Sequence, residues 1–553
     1  MTDFLNRHTL HLTPLSPIHL GTGEDYEPTN YVIKQDGIDS YALYAFDPAR
    51  AYDGLNETQQ NELLDVAKTG DIQRIQKYFG KYPMSFIKVA YNRENPVSVS
   101  TGVAEEYKER FGQTAQHENN GKKVLNQLEI KRTATNPHSH APFIPGSALK
   151  GCLRTALMES YSEKQPPTED LSKDKAPERY EKKLLGDFAT DLLRLVKPSD
   201  LFATNDTATH ICYATNHKKK IVIGKDGKPA QSKGPPIRCE IIQHGQYRIF
   251  SGSLTLQNLL LEHQPRLKND EETLPAETRP DLVRLIQAVN RYHLRRFSKE
   301  TTLFAERGLV AAKEDSWLNQ TKQLLAQIRP QLDAGEIILV RLGKNGGAES
   351  KTLEKYARIK ILGKKGDDPT YEKETKTIWL AAESRGATHN LLPFGWALIE
   401  IDPIQNNEVI KTWCEQNQAH LLSQLKRQEK QREAAAKAAA LAAKQAEEAA
   451  AAQAEAARLA SLSPAKRLAE EILAFVQAHG KDYNPRAYVK NDACYHTLRE
   501  KLAAIPSELP DLAAQKEFAE ALPYLTLAAA CKALFTAKRE KEIKATLRQL
   551  RGE

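Results

Sequence analysis

Phe143-Ile144-Pro145-Gly146-Ser147-Ala148-Leu149-Lys150-Gly151-Cys152-Leu153-Arg154 is the stretch on which the fold turns. A short apolar segment ends in Pro-Gly-Ser and hands over to helical spacing across 149–161. Ser147 is the expected N-cap, because a serine hydroxyl accepts from an unpaired N–H of the first turn. The remaining free donors and the positive end of the helix dipole then face outward, a setting that suits a phosphate. Lys150 and Arg154 stand four apart and share one helix face, which adds charge at the same place. Gly151 costs helix stability and permits close packing or the approach of another backbone. An ordinary capped helix gives the same pattern, so the segment alone leaves both readings open. The G-x-x-x-x-G-K-[ST] order is absent, and a nucleotidase has no support.

Upstream, residues 8–15 begin by alternating apolar and polar, with Leu10 and Leu12 on one face, which predicts an opening strand. Pro17-Ile18-His19-Leu20-Gly21-Thr22-Gly23-Glu24 follows directly, and Gly21 and Gly23 allow a tight turn that brings backbone N–H groups close to a ligand. Asp36-Gly37 marks a hairpin within 31–46. Downstream, strand-rich segments at 211–223 and 237–256 flank a Gly/Lys/Pro-rich piece. Lys218, Lys219, Lys220 and Lys225 make that piece either a protruding basic hairpin or a solvated lysine loop. Helical spacing covers 281–296 and 316–332, and strands return at 336–340, 378–380 and 396–401. Between them lie Val340-Arg341-Leu342-Gly343-Lys344-Asn345-Gly346-Gly347 and Ser350-Lys351-Thr352, small flexible backbone beside three cations. Contacts of that kind position a nucleic acid without reading its sequence.

Strands and helices recur in both halves, which predicts an α+β fold of two modules, 1–256 and 257–402, rather than a bundle or a sandwich. From residue 425 to 460 the chain is almost all Ala, Glu, Lys, Arg and Gln with neither Gly nor Pro, so a linker with one long helix is expected over 403–462. Helical patterns after Ser463-Pro464 predict a small all-α domain over 463–553. The 79 Lys+Arg against 71 Asp+Glu give +8, a mild bias that fits a polyanion partner but leaves local clustering to decide. Six scattered cysteines without paired spacing read as reduced thiols. No apolar run reaches the roughly 20 residues of a membrane span, and the start lacks a signal-peptide core. A soluble cytoplasmic protein is expected.

The G-T-G after the first strand and F-I-P-G-S-A-L-K-G-C-L-R-T-A-L together resemble the RAMP superfamily of CRISPR proteins. Within it, the order L-T-P-L-S-P-I-H-L-G-T-G-E-D-Y-E-P-x-x-Y-V-I, Y-A-F-D-P and P-G-S-x-L-K-G is similar to the family of the fifth subunit of type III-A Csm effector complexes. The loop from Val340 to Thr352 and Leu392-Pro393-Phe394-Gly395-Trp396 agree, so the resemblance covers roughly 8–402. It implies two ferredoxin-like (RRM-type) modules and a non-catalytic subunit that caps the backbone filament at the 3′ side of the crRNA and assists crRNA maturation in antiviral defence. It implies as partners the crRNA guide, other RAMP subunits and, for maturation, a host nuclease, with no cofactor, no metal and no membrane. The residues it points to for RNA are Gly21, Thr22, Gly23, Gly146, Ser147, Lys150, Arg154, Arg341, Lys344, Ser350, Lys351 and Thr352, with Lys218, Lys219, Lys220 and Lys225 as a basic hairpin. The segment after residue 420 departs from the family pattern.

Two other classes stay open. A guide-processing endoribonuclease would use His19, beside Gly21, as general acid or base. His138 and His140 lack a third ligand, and neither Asp25 nor Asp36 matches the loop aspartate of target-cleaving relatives. A protein-interaction adaptor would instead work through the long helix and the terminal domain.

Overall fold

The computed structural model describes residues 5–36, 40–117, 123–125, 128–188, 191–204, 207–223, 234–257, 281–311, 313–362, 368–481 and 488–553. Residues 1–432 form one compact unit and residues 433–553 a second. In chain order, the elements of the first unit that position the site are β1 (Asn6–Pro14), β2 (Gly21–Tyr26), β3 (Tyr31–Gln35), β4 (Tyr41–Ala45), β5 (Val97–Val99), β6 (Ile130–Thr133), α1 (Gly146–Lys164), β7 (Leu201–Ala203), β8 (Thr209–Lys218), β9 (Ile237–Ile242), β10 (Phe250–Leu256), α2 (Leu282–Arg307), β11 (Ile337–Arg341), β12 (Thr377–Ala382) and β13 (Trp396–Ile401). Strands and helices mix throughout, as the α+β expectation has it.

The first sheet runs β11-β13-β1-β10-β7 and ends on the short strand Phe143–Ile144. β1 is central. Its Leu10 and Leu12 oppose Gly252 and Phe250 on one side and Ile401 and Ile399 on the other, all antiparallel. The two expected modules therefore share one sheet, because β13 from the second half pairs directly with β1. β13 reads as a near-continuous apolar run and is buried at every position, which fits an interior strand. Its one charge, Glu400, is answered by a bidentate Arg248 at 2.8 and 2.9 Å. Leu149, Leu153, Ala156 and Leu157 of α1 and Leu285, Ile286 and Val289 of α2 cover this sheet in one core.

The second sheet runs β2-β6-β9-β8-β5-β4-β3, with β12 added on β8. α2 links the cores: its first half packs in the first, and Phe297 and Phe304 of its second half pack with Ile211, Tyr213 and Trp396 in another. Asp281 caps its start by accepting from Arg284 N–H at 2.7 Å, and Gly308 closes it in the left-handed region. Buried Asn290 donates to Leu332 and Ile337 carbonyls and accepts from Leu339 N–H, so one amide fixes α2 against β11.

The second unit is helical among the described residues. After α3 (Ala419–Ser461), which begins in the first unit, come α4 (Pro464–Lys481), α5 (Tyr488–Glu508), α6 (Leu512–Ala521), α7 (Tyr524–Ala530) and α8 (Ala537–Arg551). Ile472, Val476, Leu498, Leu502, Phe518, Leu527 and Leu547 form its core. Among the described residues no helix is long and apolar enough to cross a membrane.

Candidate nucleic-acid interface

The Gly21-Thr22-Gly23 element is a bulge and not the expected tight turn. β2 pairs with β6 through Gly21–Thr133 and Asp25–Lys131, so four steps on one strand answer two on the other. The extra residues bow outward, and Thr22, Gly23 and Glu24 are exposed. Gly23 sits at φ +95°, where a glycine is needed.

The loop after β11 lies against this bulge. Lys344 N–H donates to the His19 carbonyl at 2.8 Å. A Cβ placed on Gly21 would stand 2.7 Å from the Lys344 ammonium, so a larger residue there would push that flexible side chain aside. Gly343, at φ +84°, would put a Cβ 2.3 Å from the same His19 carbonyl. Gly395 N–H donates to the Pro17 carbonyl at 2.8 Å. Signature loops from the two halves of the sequence are thus stitched together through main-chain bonds, with an exposed cation at the seam.

The same loop gathers Lys219, the residue that follows β8. Glu349, just before Ser350, accepts from Lys219 Nζ at 2.7 Å and from the Thr375 hydroxyl at 2.6 Å. Burial pushes the Glu349 carboxyl up, but those bonds outweigh it and hold it below the usual range. Ser350 donates to the Gly347 carbonyl, and the Thr352 carbonyl accepts from Tyr292 and Arg296. Lys351 and Lys220 are exposed and Lys218 half-buried. Lys225 lies outside the described residues.

Other expected contacts are turned inward. Arg341 has a side chain only 6% exposed; it pairs with Glu300 at 2.7 Å, donates to the Phe394 carbonyl and lies over the Trp396 ring. It is a core residue, since β11 delivers it between α2 and β13. Arg154 is held by Glu181 and Asp191 at 2.6 and 2.5 Å. Ser147 is not the N-cap. The cap position lies two residues earlier, at Pro145, with the helix beginning at Gly146 and no side-chain bond. The Gly146 N–H already donates to Asp200 at 2.7 Å, so a carboxylate occupies the place expected for phosphate. Gly146 is there for packing: a Cβ would meet the Pro198 carbonyl at 2.6 Å. Lys150 is half-buried, with burial lowering its pKa, and Gly151 faces open space. Asp200, Glu349 and Glu300 carried no sequence signal, because each partner lies far along the chain.

His19 is buried, and its Nδ1–H donates to the Glu240 carbonyl at 2.7 Å. Burial, then Lys344, lowers its pKa, so the ring is neutral at physiological pH. A second juxtaposition, Cys152 Sγ against His293 Nε2 at 2.9 Å, has the partners of a nucleophile–base pair. Burial drives the thiol up to about 12 and the imidazole down to about 3, so both are neutral and sealed in the core. Among the described residues no three of His, Cys, Asp and Glu gather to hold a metal ion.

The sequence profile of the RAMP superfamily matches residues 11–347, from β1 through the Lys344 loop. The chain belongs to the RAMP superfamily. No curated protein matches this RAMP chain. Among solved structures, a chain of a Csm–crRNA–target RNA ternary complex of a type III-A CRISPR-Cas system is 16% identical, at a TM-score of 0.42, over 71% of this chain and 100% of that one. The crystal structure of T. onnurineus Csm5 is 16% identical at 0.40, over 70% and 99%.

Proposed function

We propose that this RAMP protein is a guide-RNA-binding subunit of a type III CRISPR interference complex. It holds the sugar–phosphate backbone of the crRNA without cutting it, caps the filament at the 3′ side and assists maturation. Its partners are the crRNA and other RAMP subunits, and its strands belong to two ferredoxin-like modules fused through β1 and β13. The observation that carries this is the exposed Lys344 ammonium laid on the Gly21 bulge. Small backbone and a cation from both halves of the sequence meet there, and phosphate contacts are made by such groups. Lys351 and Lys220 are the further exposed cations near the same loop. The ion pairs of Arg341 with Glu300 and of Arg154 with Glu181 and Asp191 favour structural roles for both over direct RNA contact.

The test is to isolate the tagged chain from its host and sequence the RNA it carries. Short repeat-derived guides together with other RAMP subunits are expected, and Lys344→Glu should strip the RNA while leaving the fold intact. Recovery of the chain with unrelated proteins and no guide would overturn the proposal. Cleavage of a repeat-containing RNA by the chain alone, lost in His19→Ala, would put the endoribonuclease in its place.

A further inference from the structure

A pocket of about 420 Å3 opens on the second sheet, beside the Gly21 bulge but separate from the Lys344 seam. Its floor comes from adjacent strands: Tyr26 on β2, Arg132 on β6 and Glu240 on β9. Its rim is two loops, 90–95 and 139–142. The volume is that of a small-molecule site, about 300–1,000 Å3.

Two aromatic rings from those loops are stacked. Tyr91 and His140 lie 3.9 Å apart at 20° between planes. Both are held by main-chain bonds. Tyr91 N–H donates to the Ala45 carbonyl, and the neighbouring Asn92 side chain bonds Ala45 and Leu43. On the other side, Asn136 Oδ1 accepts from His138 and Ser139 N–H, and His140 N–H donates to the Asn136 carbonyl. His140 itself sits at φ +54°, a strained conformation for a histidine, and such strain persists where the surroundings enforce it. Tyr91 is 36% exposed, so the stacked pair stands at the pocket mouth.

The floor offers a donor and an acceptor. Arg132 lies over the Tyr26 ring at 4.7 Å and donates to Thr135 Oγ1 at 3.3 Å, while its buried Nε has no hydrogen-bond partner. Glu240 is buried and accepts from Thr133 N–H and the Tyr26 hydroxyl. The charged lining is Arg93 and Arg132 against Glu94 and Glu240, so it balances. A phosphate would be poorly served there. A neutral, flat heterocycle with donors and acceptors on its edge is well served.

We propose that this pocket takes one unpaired nucleobase of a bound RNA strand, its face on the Tyr91–His140 pair and its edge toward Arg132. The proposal rests on the RNA-binding reading above and adds a base-holding site to a surface otherwise suited to phosphates. Proteins that hold single-stranded RNA stack its bases on Tyr, His and other aromatic rings. The strand geometry connects the two places: Thr133, one residue from Arg132, pairs with Gly21.

The test uses the full chain and two labelled strands of equal length, one ordinary oligoribonucleotide and one built wholly from abasic spacers. The wild type should bind the base-bearing strand more tightly. Tyr91→Ala and, separately, His140→Gly, which tolerates the left-handed backbone, should weaken that strand by about 5- to 150-fold, the worth of one base stack. Neither should alter the abasic strand, and Tyr91→Phe should retain the wild-type affinity. Equal binding of both strands by the wild type, or equal weakening of both by the variants, would overturn the pocket while leaving phosphate binding in place. Binding of neither strand would overturn the RNA-binding reading itself. Free nucleoside monophosphates form the last arm: one that binds through Tyr91 without being displaced by the base-bearing strand would make this a free-nucleotide site and defeat the proposal.

Discussion

Replacing Arg341 by methionine separates a core role from an RNA role. Its guanidinium and the Glu300 carboxylate are 6% and 9% exposed and 2.7 Å apart, and Glu300 also accepts from the Trp396 indole at 2.7 Å. Removing one member of such a buried pair leaves the other charged and unanswered, which costs about 3–5 kcal/mol. With a urea slope near 3 kcal/mol/M, that is a fall of about 1–1.7 M in the midpoint of the first unit. Trp396 and Trp317 lie in the same core and report the transition by fluorescence. Arg341→Met/Glu300→Met removes both charges and should recover most of the loss, because apolar replacement of a whole buried pair is often neutral. RNA affinity per folded molecule should not change in either variant. A single variant with wild-type stability and weakened RNA binding would refute the core assignment and return Arg341 to the RNA surface.

Gly343→Ala should destabilise the first unit by at least about 1–3 kcal/mol in the same assay, since the new Cβ meets the His19 carbonyl in a left-handed conformation. Gly151→Ala should instead stabilise it by about 0.8–1 kcal/mol, because this mid-helix glycine faces open space; RNA affinity lost in that variant would reveal an approaching strand. Lys344→Ala and Lys351→Ala should each lower the slope of log affinity against log salt by about 0.7 for a single strand; an unchanged slope would remove that lysine from the interface. His293, near 3 in the folded chain against an ordinary 6.5, is a depressed group. Below pH 6.5 only the unfolded chain takes up its proton, so stability falls with pH through that window and stops falling below about 3. From pH 6.5 to 5 the loss is about 1–2 kcal/mol, and His293→Gln should remove that part of the pH dependence in paired urea titrations.

Local patterns were legible where neighbours in sequence are neighbours in space. Leu10 and Leu12 announced β1, the apolar run 396–401 announced β13, and the Ala-rich stretch lies within the long helix α3. Helical spacing over 316–332 hid a break at Ile328, just before Pro330, where two helices meet. Distant pairing was not legible. Nothing near Gly146 shows that Asp200 takes its N–H, and nothing near Arg341 shows that Glu300 takes its charge. Both positions carried the glycine-and-cation look of a phosphate site, but long-range partners had already satisfied them. Gly21 and Lys344 shared that look, and there the chain left the cation exposed. The Tyr91–His140 pair had no signal at all, since its rings come from loops almost fifty residues apart.

Placing β1 at the centre of its sheet has a consequence for synthesis. Leu10 leaves the ribosome about 390 residues before its partner Ile401, a gap of roughly 20–80 s at ordinary elongation rates. During that interval one edge of β1 has its hydrogen-bonding groups uncovered, an invitation to pair with another nascent chain. Expression should therefore be sensitive to crowding of ribosomes on the message. A circular permutant that places β13 immediately before β1 would shorten the wait to the length of a loop.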